Sequence, residues 1–232
     1  MRELAVSFQP LHVQHDCHTF PGAIGVQLEQ VGFDVVSLDT CAAFEDGATT
    51  IGEVADYWRA ECPQLADASL LLGNALGGVV AHELRSHLDK GVVTFTVSAP
   101  SGATERLRSR FAAVITVAAG EGVAEAAGLL ERFAGGVPAA QGEEERRPEP
   151  AMRRRLLAGL QALTDYRCGR SQSEGRHITV VGSKSRLAGR DDVCRCDAPT
   201  IVELGGAGMR PHLDQSDRVA RVVSAMLKKE LR

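Results

Sequence analysis

The chain has 232 residues, 44% hydrophobic and 24% charged, with a formal net charge of -4. Only 4% of residues are aromatic, and 30 acidic residues outnumber 26 basic ones, which argues against a stacking platform or cationic surface for nucleic acid. No apolar run approaches the roughly 20 residues that span a bilayer, six cysteines are too sparse for a disulfide scaffold, and the first residues carry no signal core, so a cytoplasmic protein with reduced thiols is expected.

Val-, Ile- and Leu-rich runs at 4–8, 34–38, 68–73, 91–97, 113–117, 177–182 and 200–204 mostly lack strict alternation. They predict strands buried on both faces of a parallel sheet. Helical patterns lie between them, the first at 20–31. A second opens at Thr50, where Glu53 completes a capping box. Others follow at 77–88, 122–133 and 153–163. The last starts at Ser216, with Asp217 in its first turn and Lys228 and Lys229 in its last, matching the helix dipole. Strand–helix alternation predicts the α/β class: a doubly wound, mostly parallel sheet in a single domain, 1–232. The segment 134–150, AGGVPAAQGEEERRPEP, breaks the rhythm. Helical pieces flank it with no strand between, so 122–176 is expected to be an insertion that lies over the sheet as a lid.

The stretch LLLGNALGGVVAHEL, residues 70–84, is the most informative. A buried strand runs into a tight, glycine-flanked turn that opens a helix. This is the layout of a nucleophile elbow, G-x-S-x-G, where strand and helix pack so closely that only small residues fit around a strained central position. The central residue here is Ala75, which has no nucleophilic atom.

GNALGGVVAHELRSHL resembles the elbow and following helix of the thioesterases that serve polyketide synthases and nonribosomal peptide synthetases. TTIGEVADYWRAE, residues 49–61, resembles the helix before that elbow, and GGAGMRPHLDQSDRVARVVSAML, residues 205–227, resembles the last strand-loop-helix of the same family. The resemblance implies the α/β-hydrolase fold with a helical lid, and no cofactor or metal. It implies a small-molecule acyl or polyketide intermediate as ligand, free or presented by an acyl or peptidyl carrier protein, with neither nucleic acid nor membrane as partner. It also implies a triad that this sequence does not supply. Met209 falls where the family has its catalytic His, with His212 three residues on. The acid position gives Ser98, Ala99 and Pro100 after one strand, or Ser185 after another, with Asp191 and Asp192 the nearest carboxylates. An oxyanion hole of backbone N–H groups survives side-chain replacement, with Leu76 as one donor and the loop from Gln9 through Leu11 to His12 supplying the other.

The loop His12-Val13-Gln14-His15-Asp16-Cys17-His18 is dense in ligand-type side chains and follows the first strand, at the sheet edge where open α/β folds bind ligands. It reads either as a solvated polar loop or as a relocated acid/base set, with His12, His15 and His212 as proton carriers; a metal site is the weaker reading. Cys17 is the best-placed thiol for a substitute nucleophile. His82 and Glu83, on the helix after the elbow, read as packing or surface residues, and Cys194 and Cys196 as structural. The run Arg153–Arg155, near Arg146 and Arg147, reads as a solvated face or as an attractor for an acidic carrier protein or its phosphopantetheine phosphate. Three functions fit: a non-hydrolytic enzyme of natural-product biosynthesis, a non-catalytic binding protein, or an acyl-thioesterase in its Ser-to-Ala form at position 75.

Overall fold

The computed structural model describes residues 2–13, 20–88, 91–135, 148–169, 176–193 and 200–230. Six parallel strands form one sheet: β1 (Glu3–Phe8), β2 (Phe33–Leu38), β3 (Ala68–Asn74), β4 (Val93–Val97), β5 (His177–Gly182) and β6 (Thr200–Leu204), in the spatial order β2-β1-β3-β4-β5-β6. The order reverses direction between β1 and β3, and such switch points leave a crevice at the carboxyl ends of the strands.

The two faces of the sheet bury separate cores. Val6, Phe8 and Leu71 point to one face, packed against α3 (Ile51–Glu61), α4 (Leu76–Arg85), α5 (Glu105–Gly120) and α7 (Glu149–Asp165). Ala5, Leu70, Leu72 and Phe95 point to the other, covered by α1 (Ala23–Gln30) and α9 (Ser216–Glu230). Neighbouring residues on one strand therefore serve opposite cores, which is why the strand sequences are continuously apolar. Three shorter helical pieces complete the fold: α2 (Ala42–Glu45), a 3-10 turn (Pro63–Asp67) and α8 (Pro211–Asp214).

The Thr50–Glu53 capping box is present in both directions, with the Thr50 side chain accepting from the Glu53 N–H and the Glu53 carboxylate accepting from the Thr50 N–H. The expected strand at 113–117 is a correction: those residues lie inside α5. Thr104 caps that helix, and Leu107, Phe111, Val114 and Ala118 bury one face at helical spacing. The local β-branched run is outweighed by the longer period.

Helices α5, α6 (Val123–Ala134) and α7 all fall between β4 and β5. The region expected as a lid, 122–176, thus contains α6 and α7, although residues 136–147 and 170–175 of it lie outside the described part. No helix among the described residues is long and apolar enough to cross a membrane.

Candidate active site

The elbow takes the strained form its sequence requires. β3 ends at Asn74, α4 begins at Leu76, and Ala75 between them has φ 50° and ψ -114°. A non-glycine residue at such angles costs on the order of 1–3 kcal/mol and persists only where its surroundings over-determine it. Here they do. The Ala75 N–H and the Asn74 side-chain amide both donate to the Val97 carbonyl, at 2.8 and 3.0 Å. A Cβ on Gly73 would lie 2.3 Å from the Gly77 carbonyl oxygen, and one on Gly77 would lie 2.1 Å from that of Phe8. β1, β3 and α4 meet backbone to backbone, and the turn has no other way to go.

Ala75 opens onto a cleft with about 600 Å³ of atom-free space, its mouth included. Leu76 and Leu11 border it, as do Met209 and Pro100. Leu107 and Phe111 of α5, Leu130 of α6, and Leu160 and Leu163 of α7 form the apolar wall across from the elbow. The nucleophile position, the base position and two of the expected oxyanion residues are therefore brought to one cavity. The Leu76 N–H belongs to the first turn of α4, where helix donors have no partner within the helix. Gln9 is placed differently. Its N–H donates to the Leu38 carbonyl at 3.0 Å, prolonging the ladder between β1 and β2, and its side-chain amide is turned to Phe20 and Ser37.

The expected proton carriers are not part of the cleft lining. His212, in α8, is buried with its ring edge-on to Phe20, the centroids 5.1 Å apart. Neither ring nitrogen has a partner among the described residues. Burial, then the positive charge of Arg210, then His12, push its pKa down to about 3. His12 is lowered to about 4 by burial first and Arg210 second, with its Nε2 also unpartnered. Both rings are neutral at neutral pH, and neither borders the cleft. His15 and Cys17 lie outside the described residues, as do Cys194, Cys196, Arg146 and Arg147.

The candidate acids are also accounted for. Asp191 is exposed. Asp192 is buried and fully engaged by Arg106, the Thr104 hydroxyl at 2.8 Å and the Gly189 N–H at 3.0 Å, so it pins the loop after β5 to the start of α5. Ser98 is buried with φ 50° and an unpartnered hydroxyl. None of these borders the cleft. His82, on α4, lies against the ring of His177, with Nδ1 3.3 Å from the Tyr166 hydroxyl.

Two charged residues that border the cleft were not singled out from the sequence. Arg210, directly after Met209, is 11% exposed and meets the carboxylate of Glu131 on α6 through both guanidinium Nη atoms. They are 79 residues apart. Only helical phase could have hinted at Glu131, because Leu130 and Ala134 beside it face the same cleft.

Comparison with solved structures gives matches along almost the full length of the chain. MenH from S. aureus covers 99% of this chain and 95% of its own, at 17% identity and a TM-score of 0.64. Esterase E22 has a TM-score of 0.70 at 13% identity, covering 97% and 90%. ClbQ from the colibactin NRPS/PKS pathway has a TM-score of 0.62 at 12% identity, covering 98% of each chain. No protein-family model matches the chain, and no curated protein matches its sequence. At these identities the likeness establishes the fold alone: this is an α/β-hydrolase-fold protein.

Proposed function

We propose that this protein serves polyketide or nonribosomal peptide biosynthesis in the cytoplasm. It binds an acyl or polyketide-type intermediate, free or held by a carrier protein, beneath α6 and α7 acting as a lid. It converts that intermediate without hydrolysis, by cyclisation, elimination or rearrangement. The observation that carries the reading is a fully formed elbow with alanine at its apex, opening on an apolar cleft. The strained turn stands at the end of β3, at the cleft. It aims Ala75 and the Leu76 N–H at the cavity.

The chemistry left to such a site follows from what it lacks. Alanine forms no acyl-enzyme. Met209 cannot activate water, and neither His12 nor His212 borders the cleft. What remains is orientation of a flexible chain, exclusion of water, and backbone N–H groups that polarise a carbonyl. These favour intramolecular closure, in which the substrate brings its own nucleophile.

The test uses N-acetylcysteamine thioesters of decanoate and of a 3,5-dioxoacyl chain, followed by mass spectrometry. The native chain is expected to leave the decanoyl thioester intact. It is expected to speed closure of the dioxo chain, in which the enol oxygen attacks the thioester carbonyl and expels the thiol. Free acid formed above background from either substrate overturns the reading. Ala75→Ser alone is expected to stay silent, for want of a base. Restored cleavage by that single change would instead support an acyl-thioesterase in its Ser-to-Ala form. A second reading, a non-catalytic binding protein, is favoured by the position of His12 and His212 away from the cleft lining. It requires saturable binding of both thioesters with no closure.

A further inference from the structure

The cleft is mostly apolar, and its charged corner is where Arg210 and Glu131 meet. An ion pair is a poor way to join a helix to a loop. Desolvating two charges commonly cancels their attraction, and apolar side chains of similar size do as well or better. The backbone already makes that join, since the Met209 N–H donates to the Ala134 carbonyl at 3.0 Å. The two partners also differ in their surroundings. Arg210 is 11% exposed and has given up most of its water, whereas Glu131 is 42% exposed.

On the reading that this cleft takes an acyl chain, we propose that the chain carries a carboxylate, which binds by displacing Glu131 from Arg210. The exchange is nearly balanced. The guanidinium swaps one planar, two-oxygen partner for another in the same fork geometry. Glu131 turns the remaining way into solvent, and the apolar walls bury the tail. A neutral chain has no such exchange open to it. It either leaves the ion pair standing in its path or strips Arg210 of a partner. The structure thus assigns Arg210 to substrate recognition and Glu131 to the role of an internal competitor for the same site. Placed next to Met209 and facing the elbow, a carboxylate held there fixes the chain by one end, with its length running past Ala75.

Calorimetric titration of the full chain with decanoate and with decanamide, both below their micellar concentrations, tests this. Decanoate is expected to bind roughly tenfold or more tightly than decanamide. Arg210→Met is expected to abolish that preference while decanamide binding persists. Glu131→Gln is expected to tighten decanoate several-fold, because the competitor loses its charge. A purely structural ion pair gives the opposite sign for that variant. Equal affinity of the native chain for the two ligands, or weaker decanoate binding by Glu131→Gln, overturns the proposal. If Arg210→Met does not fold, the Glu131→Gln titration decides alone. Failure of both ligands to bind the native chain overturns the acyl-cleft reading itself, and so is distinct from equal binding of both. The half-thioester of decanedioic acid then distinguishes the two sources of the carboxylate. Tighter binding than decanoate places the charge at the distal end of an activated chain, and weaker binding places it on a free acid; either order supports the exchange.

Discussion

The cleft beside Ala75 and the histidine pocket behind Arg210 hold, separately, the two things an acyl-transfer site must combine. The cleft has access, an oriented backbone donor and apolar walls, but methyl and thioether groups stand where a nucleophile and base would be. The pocket has imidazoles, but burial holds His12 and His212 neutral, and neither borders the cleft. A titratable side chain does acid–base work near neutral pH only if it is both reachable and partly solvated. Proximity in sequence to a catalytic position, as with His212 three residues after Met209, provides neither.

The largest expected effect comes from disturbing the elbow on which the cleft depends. Gly77→Ala places a Cβ 2.1 Å from the Phe8 carbonyl oxygen, and neither backbone can withdraw. A loss of about 3 kcal/mol or more in urea denaturation is expected. A loss below about 1 kcal/mol would mean that the strand–helix packing is looser than the contact implies.

Next comes the wall of the histidine pocket. Arg155 is 1% exposed and reaches three separate segments: the His12 carbonyl at 3.1 Å, the Glu45 carboxylate at 2.7 Å and Asp39. Arg155→Met leaves these acceptors without their donor, and a loss of about 3 kcal/mol is expected. His12 is also expected to become reachable by a histidine-modifying reagent such as diethyl pyrocarbonate. Continued protection would separate the wall from this arginine.

The smallest effect is graded with pH. The folded pKa values of His12 and His212 lie below the unfolded value of 6.5. Their neutral burial therefore contributes stability that is fully present above pH 6.5 and is lost as pH falls towards 4 and then 3. Each histidine adds a slope of about 1.4 kcal/mol per pH unit within its own window. His212→Phe removes two unpartnered nitrogens and keeps the edge contact with Phe20. Below pH 6.5 it is expected to lower the slope by about one histidine's share, with stability at pH 7 unchanged or slightly raised. An unaltered acid limb would show that His212 is not a buried neutral imidazole.

The frame was legible in the sequence because its signals are local. Glycines at 73, 77 and 78, and the Thr50–Glu53 pair, report contacts within a few residues, and six of the seven expected strands formed. The run at 113–117 misled because five residues rich in branched side chains say less than the sixteen of α5, whose buried positions keep helical phase. The site was half legible. Ala75, Leu76, Leu11 and Met209 do share one cavity. The Arg210–Glu131 pair did not announce itself, since it joins a loop to a helix 79 residues away. The fate of the histidines was hidden for the same reason: burial is a property of what packs around a residue, such as Phe20 against His212, and not of its own segment.

The three contacts of Arg155 also have a mechanical consequence. They tie α7 to the rim of the sheet through the loop after β1, the end of β2 and α2. α6 is joined to the loop after β6 by the Arg210–Glu131 ion pair and the hydrogen bond from the Met209 N–H to the Ala134 carbonyl. In the proposed lid, Arg155 therefore secures the α7 edge and Arg210 the α6 edge. In that proposal one arginine both fastens the cover and reads the charge of the chain beneath it.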